Sequence, residues 1–234
     1  MAKVKPFSSE LEEWLKTDQP KTFARLEEVF GERTFAIIFL VFMALPALPI
    51  PTGGITHVLE VLTMLIALQQ VAGRKKLWIP KFVSKKELPA SFVHKLLPPF
   101  MRRIKWLEKY SRRRGAGMLT NTWFSCFVGL CVLGLTVGAF LAPPFSGLDT
   151  VPALGVVIIA LGLIVGDISF FVAGLIIGSA GVILEITVGA VVVKAVKRFL
   201  AHSSGMQKGW AVSLLIVIIL ALFLHHRHGK KHDA

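Results

Sequence analysis

Between Gly115 and Val193 no lysine or arginine interrupts the chain, and only Asp149, Asp167 and Glu185 carry charge. So long a stretch without a cation cannot be a solvated surface. It reads as several segments embedded in hydrocarbon. A further apolar block, 34–72, lies upstream, and another, 209–224, lies downstream. The expected fold class is all-α, a polytopic membrane protein of short helices.

The blocks are not plain spans. Thr34–Leu45 runs into Leu45-Pro46-Ala47-Leu48-Pro49-Ile50-Pro51-Thr52-Gly53-Gly54, whose prolines and glycines remove backbone donors and forbid a regular helix. Irregular backbone at membrane depth is tolerated only where protein covers it or water reaches it. A helix–break–helix hairpin is expected over 34–72, re-entrant in one form, because its first arm is too short to cross. Residues 122–167 carry a second such pattern, broken at Pro143-Pro144. A Gly-interrupted membrane helix follows at 168–198, then a last membrane helix at 209–224 and a basic tail at 225–234.

Displaced by 93 residues, the chain matches itself without gaps. Pro51 falls on Pro144, Gly54 on Gly147, Val58 on Val151, Ala67-Leu68 on Ala160-Leu161, and Gly73 on Gly166. Two broken segments in corresponding places mark an internal repeat and point to a central site where half-helix ends and unwound backbone offer oriented dipoles. Pattern alone leaves parallel and inverted repeats both open. A purely architectural duplication is the plainer alternative.

The remaining segments are polar. Leu11, Trp14 and Leu15, then Phe23, Leu26, Val29 and Phe30, give 1–33 an amphipathic helical character with seven acidic and six basic residues. It is expected either along the bilayer interface or against the basic loop. That loop, within 73–121, carries fourteen Lys/Arg and two Asp/Glu between Arg74 and Arg114, interleaved with Trp78, Phe82, Phe92, Phe100 and Trp106. Such a mixture suits helices in the headgroup region on the cytoplasmic side. The formal net charge of +13 comes largely from this loop, so a nucleic-acid partner is excluded. The first apolar run lacks a cleavage site and is expected to act as an uncleaved signal-anchor.

Ionisable residues inside apolar segments are the candidate site, because burying them is expensive. Glu60 is expected to carry a proton or coordinate a cation with His57, one turn earlier, as partner; an inert carboxylate near the membrane surface is the alternative. Thr56 and Asp149 occupy equivalent positions after the two breaks, where capping is the simpler role. Asp167 is expected at a turn. Glu185 must be protonated, paired or hydrated. Gly53, Gly54 and Gly147 complete the set of ion- or substrate-binding candidates. Cys126 and Cys131 are expected as buried free thiols, and the His-rich tail as a solvated basic end rather than a metal site. No nucleophile elbow, phosphate loop or zinc motif is present, so no catalytic residue, metal or cofactor is expected and the chain is not read as an enzyme.

Phe30-Gly31-Glu32-Arg33, the Leu45-Pro46 to Gly54 break, Gln69 through Gly73-Arg74, Leu77-Trp78-Ile79-Pro80, Pro152-Ala153-Leu154 and Gly166-Asp167 together resemble the ExoD family. The resemblance runs from about Lys21 to Leu184, with Ile79 where leucine is more usual. It implies a multi-pass protein of the bacterial inner membrane linked to exopolysaccharide production, but names no reaction. Two functions follow as expectations. One is a small transporter-like protein moving a proton, ion or small polar solute. The other is a non-transporting scaffold or accessory subunit of envelope polysaccharide synthesis. The lipid bilayer is the expected partner in both, with homo-oligomerisation open.

Overall fold

The computed structural model describes residues 7–17, 21–31, 33–49, 54–78, 97–110, 121–142 and 146–202. The regular elements among them are helices: α1 (Phe7–Lys16), α2 (Phe23–Phe30), α3 (Arg33–Met43), α4 (Ile55–Val71), α5 (Leu97–Tyr110), α6 (Thr122–Leu141), α7 (Thr150–Val165) and α8 (Ile168–His202). The chain forms two compact units, 1–182 and 183–234, and α8 contributes to each. Gly53, the expected helix at 209–224, the tail at 225–234 and much of the basic loop lie outside the described residues.

Phe7, Leu11 and Trp14 bury one face of α1, and the Phe7 and Trp14 rings pack on Phe30 at centroid distances of 5.1 and 6.0 Å. Helix α1 also contacts α5, where Glu108 accepts a hydrogen bond from Ser8 and Lys105 pairs with Glu12. The amphipathic segment thus lies against the basic stretch, and Ile104 of α5 is fully buried. The Lys105 hydrogen bond holds the exposed Glu12 carboxyl below its usual range, so this clasp is lost only as pH falls through that lowered value.

Contacts between helices fix their directions. Gly73 lies against Thr122 and Cys126, and Gly129 against Gln70 and Val71, while His57 at the far end of α4 meets Phe140. Helices α4 and α6 are therefore antiparallel. Phe171 packs on Phe124 and Phe127, Gly178 on Leu135, and Val182 on Gly138, so α8 up to Val182 runs parallel to α6. Gly162 beside Phe171, Gly155 beside Gly178 and Pro152 beside Gly181 make α7 antiparallel to α8. It follows that α7 is antiparallel to α6 and parallel to α4. Helices α4 and α7, related by the 93-residue offset, thus run in the same direction, as a direct repeat requires and an inverted one does not. Among α3, α4, α6 and α7 the most extensive pairings are α4 with α6 and α3 with α7. This reciprocal exchange is what a pseudo-twofold axis along the bundle produces.

Backbone conformation follows the same offset. Gly54 and Gly147 precede α4 and α7 with φ of +95° and +67°, and Gly73 and Gly166 end those helices with φ of +73° and +77°. These are left-handed conformations that side chains resist, which is why glycine recurs there. Around Gly54 and Gly147 a Cβ would meet nothing within 4 Å. What favours glycine at these two positions is thus the backbone conformation and not a lack of space.

Of the two expected caps, one is corrected and the other holds in position only. Gly54, not Thr56, is the N-cap of α4, and Thr56 is buried inside the first turn. Asp149 does hold the N-cap position of α7, but its backbone is helical there and its side chain makes no capping hydrogen bond. A cap needs an extended residue whose side chain can fold back onto the next turn. Asn121 before α6 has that geometry, accepting from Trp123 N at 3.1 Å. Asp167 similarly accepts from Ser169 N at 2.9 Å at the start of α8.

Helix α4 is amphipathic in the opposite sense to a helix of a water-soluble protein. Ile55, Val58, Val61, Leu62, Leu65 and Leu68 are exposed, while Thr56, Glu60, Thr63 and Gln70 are buried. Burying a Leu, Val or Ile is worth about 1.5–3 kcal/mol. Leaving six of them half-exposed to water would cost a large part of the about 5–15 kcal/mol that holds a domain together. Hydrocarbon removes that cost. Helix α6 and the Ile168–Ala195 part of α8 are long and apolar enough to cross a membrane, and they too expose leucines, isoleucines and valines. Two helices of that length and apolarity, with the outward apolar face of α4, suggest a membrane protein. Helices α3, α4 and α7 are shorter, with 11, 17 and 16 residues. At about 1.5 Å per residue none matches a hydrocarbon core of about 30 Å.

Candidate functional site

The break-side ends of α4 and α7 lie together at one end of the bundle, because those helices run in parallel. The register between α4 and α6 brings Glu60 level with the part of α6 around Thr136 and Phe140. Glu60 is 0% exposed. Its Oε2 lies 2.8 Å from His57 Nδ1, one turn away on the same helix. The His57 ring packs edge-on against Phe140, with centroids 5.5 Å apart, and its side chain remains 28% exposed. Thus His57 joins a buried carboxylate to the surroundings.

The second carboxylate oxygen, Glu60 Oε1, is buried without a hydrogen-bond partner among the described residues. Such an acceptor costs about 1–3 kcal/mol, and more when charged, unless water, a proton or a cation satisfies it. It is not alone on this face. Thr56, Glu60, Thr63, Ala67 and Gln70 form the buried stripe of α4. Thr63 Oγ1 donates to Leu59 O, and Thr136 Oγ1 across the interface donates to Val132 O, each at 2.8 Å. Their protons committed to their own helices, both hydroxyls offer only lone pairs to the interior. The face is therefore rich in acceptors and suits a proton, a cation or water better than an anion.

The repeat supplies a contrast. Glu60, Thr63, Ala67 and Gln70 correspond to Ala153, Val156, Ala160 and Leu163 of α7, and all of these are buried. Burial register is shared; chemistry is not. The polar site belongs to the first repeat, with Asp149 the second repeat's charged contribution to the same end.

Of the sequence candidates, Glu60, His57 and Thr56 come together on α4, with Asp149, Gly54 and Gly147 at the same end of the bundle. Gly53 lies outside the described residues, and Glu185 is half-buried within the unit 183–234. Cys126 and Cys131 are free thiols, half-buried on α6. Thr63, Gln70, Ser125 and Thr136 were not singled out by sequence. The available signal was the spacing of Thr56, Glu60, Thr63 and Gln70, which places polar residues on one face of an otherwise apolar helix. Among the described residues, no three His, Cys, Asp or Glu side chains group as a metal site would require.

No solved structure matches the chain significantly. An uncharacterised protein of Synechocystis sp. is 31% identical over 199 residues, covering 82% of this chain and 88% of that protein. The family model described as "Exopolysaccharide synthesis, ExoD" matches residues 7–187, which include every helix of the repeat. The chain belongs to the ExoD family, whose name associates it with exopolysaccharide synthesis.

Proposed function

We propose that this protein is a multi-pass, transporter-like component of the bacterial inner membrane that binds and moves a proton or small cation at Glu60 in support of exopolysaccharide production. The observation that carries the reading is the fully buried Glu60 carboxylate, held by His57 on one oxygen and without a described partner on the other. A carboxylate inside a membrane protein is costly, and a folding role does not require one there. The apolar stripe of α7 fills the equivalent place without a carboxylate.

Orientation follows from charge. Arg74, Lys75 and Lys76 are exposed beside Gly73, at the end of α4 opposite the breaks, and Trp78 and Trp123 are exposed at that same end. Cationic residues with an aromatic belt mark the cytoplasmic boundary. The Glu60 end then faces away from the cytoplasm. Cysteines replacing Lys85 or Lys95 should resist an impermeant thiol reagent applied to intact cells and react after permeabilisation. Efficient labelling from outside would reverse this orientation.

Transport is tested in liposomes carrying a trapped pH-sensitive dye. With an imposed gradient, the parent protein should change internal pH, or do so when Na+ or K+ is supplied. Glu60→Gln preserves shape and removes the titrating charge. It should lower the flux at least tenfold while eluting from a sizing column like the parent. A parent protein that carries no flux under any of these gradients would exclude transport and leave the accessory role.

A further inference from the structure

Gln70 sits ten positions beyond Glu60 on the same buried stripe, about 15 Å along the axis at 1.5 Å per residue. It is 2% exposed. Its Nε2 donates to Ser125 Oγ of α6 at 3.2 Å, while Oε1 is buried without a hydrogen-bond partner among the described residues. Turning the amide over would exchange the two ends and leave the nitrogen in that position instead. One polar end of Gln70 is unmet either way. The stripe thus holds two buried, unmet polar groups, with the inward lone pairs of Thr63 between them. Buried waters are found where several polar partners converge, and apolar cavities stay dry.

We infer that the buried face of α4 is a hydrated passage leading from Glu60 past Thr63 and Ala67 to Gln70 and Ser125, and that the equivalent face of α7 is a dry seam. The inference rests on the transport reading of Glu60 and extends it, naming the route by which a proton or small cation continues. Gln70 lies one turn from Gly73, so the passage ends beside the exposed cations Arg74, Lys75 and Lys76. Its acceptors solvate a cation or hydronium in transit, and the basic end repels cations until they are hydrated and screened. The second repeat keeps the helix geometry and omits the polar groups. That makes it an internal control within one molecule.

The test compares equivalent cysteines in a background with Cys126→Ala and Cys131→Ala. Thr63→Cys and Val156→Cys are near-isosteric, occupy positions 93 apart and are both 0% exposed. Methanethiosulfonate ethylammonium reacts with thiolates, which form where water reaches. Thr63→Cys should react at least tenfold faster than Val156→Cys in protein reconstituted into phosphatidylcholine vesicles. Ala67→Cys and Ala160→Cys, also both fully buried, give a second matched pair should either of the first fail to fold. Equal rates, whether both fast or both slow, would overturn the passage. Labelling needs no transport, so the two readings are separable. Flux without selective labelling keeps the Glu60 function and removes the passage; selective labelling without flux keeps the passage and removes transport.

Discussion

Gly155→Ala is expected to destabilise the protein by about 3 kcal/mol, at the upper end of overpacking costs. A Cβ at Gly155 would stand 2.4 Å from Gly178 Cα, 2.7 Å from Gly178 N and 2.8 Å from Gly174 O. All three are backbone atoms, so no side-chain rotation can relieve the overlap. Helices α7 and α8 would have to separate, opening a seam that Gly174 and Gly181 also close by meeting Ile159 and Pro152. Small residues permit close helix approach in membranes, where packing and not exclusion of water drives association. Gly134→Ala is the matched control: on α6, a Cβ at Gly134 would meet nothing within 4 Å. There the same change should be neutral or stabilise by up to about 1 kcal/mol, through helix propensity. Thermal unfolding in detergent, followed by circular dichroism, reads both. Equal melting temperatures for the two variants would show that the α7–α8 seam is looser than described.

Such glycines also show where sequence was informative. Gly54, Gly147, Gly73 and Gly166 announced the repeat because a left-handed φ leaves glycine as the residue of choice, and they adopt it. Prolines and glycines between 45 and 54 announced the break for a similar reason. Direction was not legible: parallel and inverted repeats have the same period, and only contacts such as His57–Phe140 and Gly73–Thr122 separate them. Asp149 takes the N-cap position but makes no capping hydrogen bond, because that bond depends on local φ and ψ, which residue type does not fix. At the site, Glu60 and His57 were visible as an ionisable pair one turn apart. Thr63 and Gln70 were not, because a neutral polar residue in an apolar helix carries meaning only once its face is known to be buried.

His57→Leu is expected to destabilise the protein by about 2 kcal/mol, and combining it with Glu60→Gln should recover most of that loss. Removing one partner of a buried charged pair typically costs about 3–5 kcal/mol, because the other charge is left behind in a poorly solvating place. Here the figure is lowered because His57 is 28% exposed and water can follow when the ring is removed. With leucine at 57, Glu60 would lose its one described hydrogen bond while remaining fully buried. Glutamine in place of Glu60 removes the stranded charge and keeps the volume. The single variant Glu60→Gln should accordingly be as stable as the parent, or more so, even as it loses flux. A group that improves stability when neutralised is retained for what it does, a trade-off seen where function needs an unfavourable arrangement. Additive losses in the double variant would instead mean that the two side chains do not couple, with Glu60 stabilising the fold independently of His57. Melting temperatures of the four proteins in one detergent, at one pH near neutrality, decide between these outcomes without any transport assay.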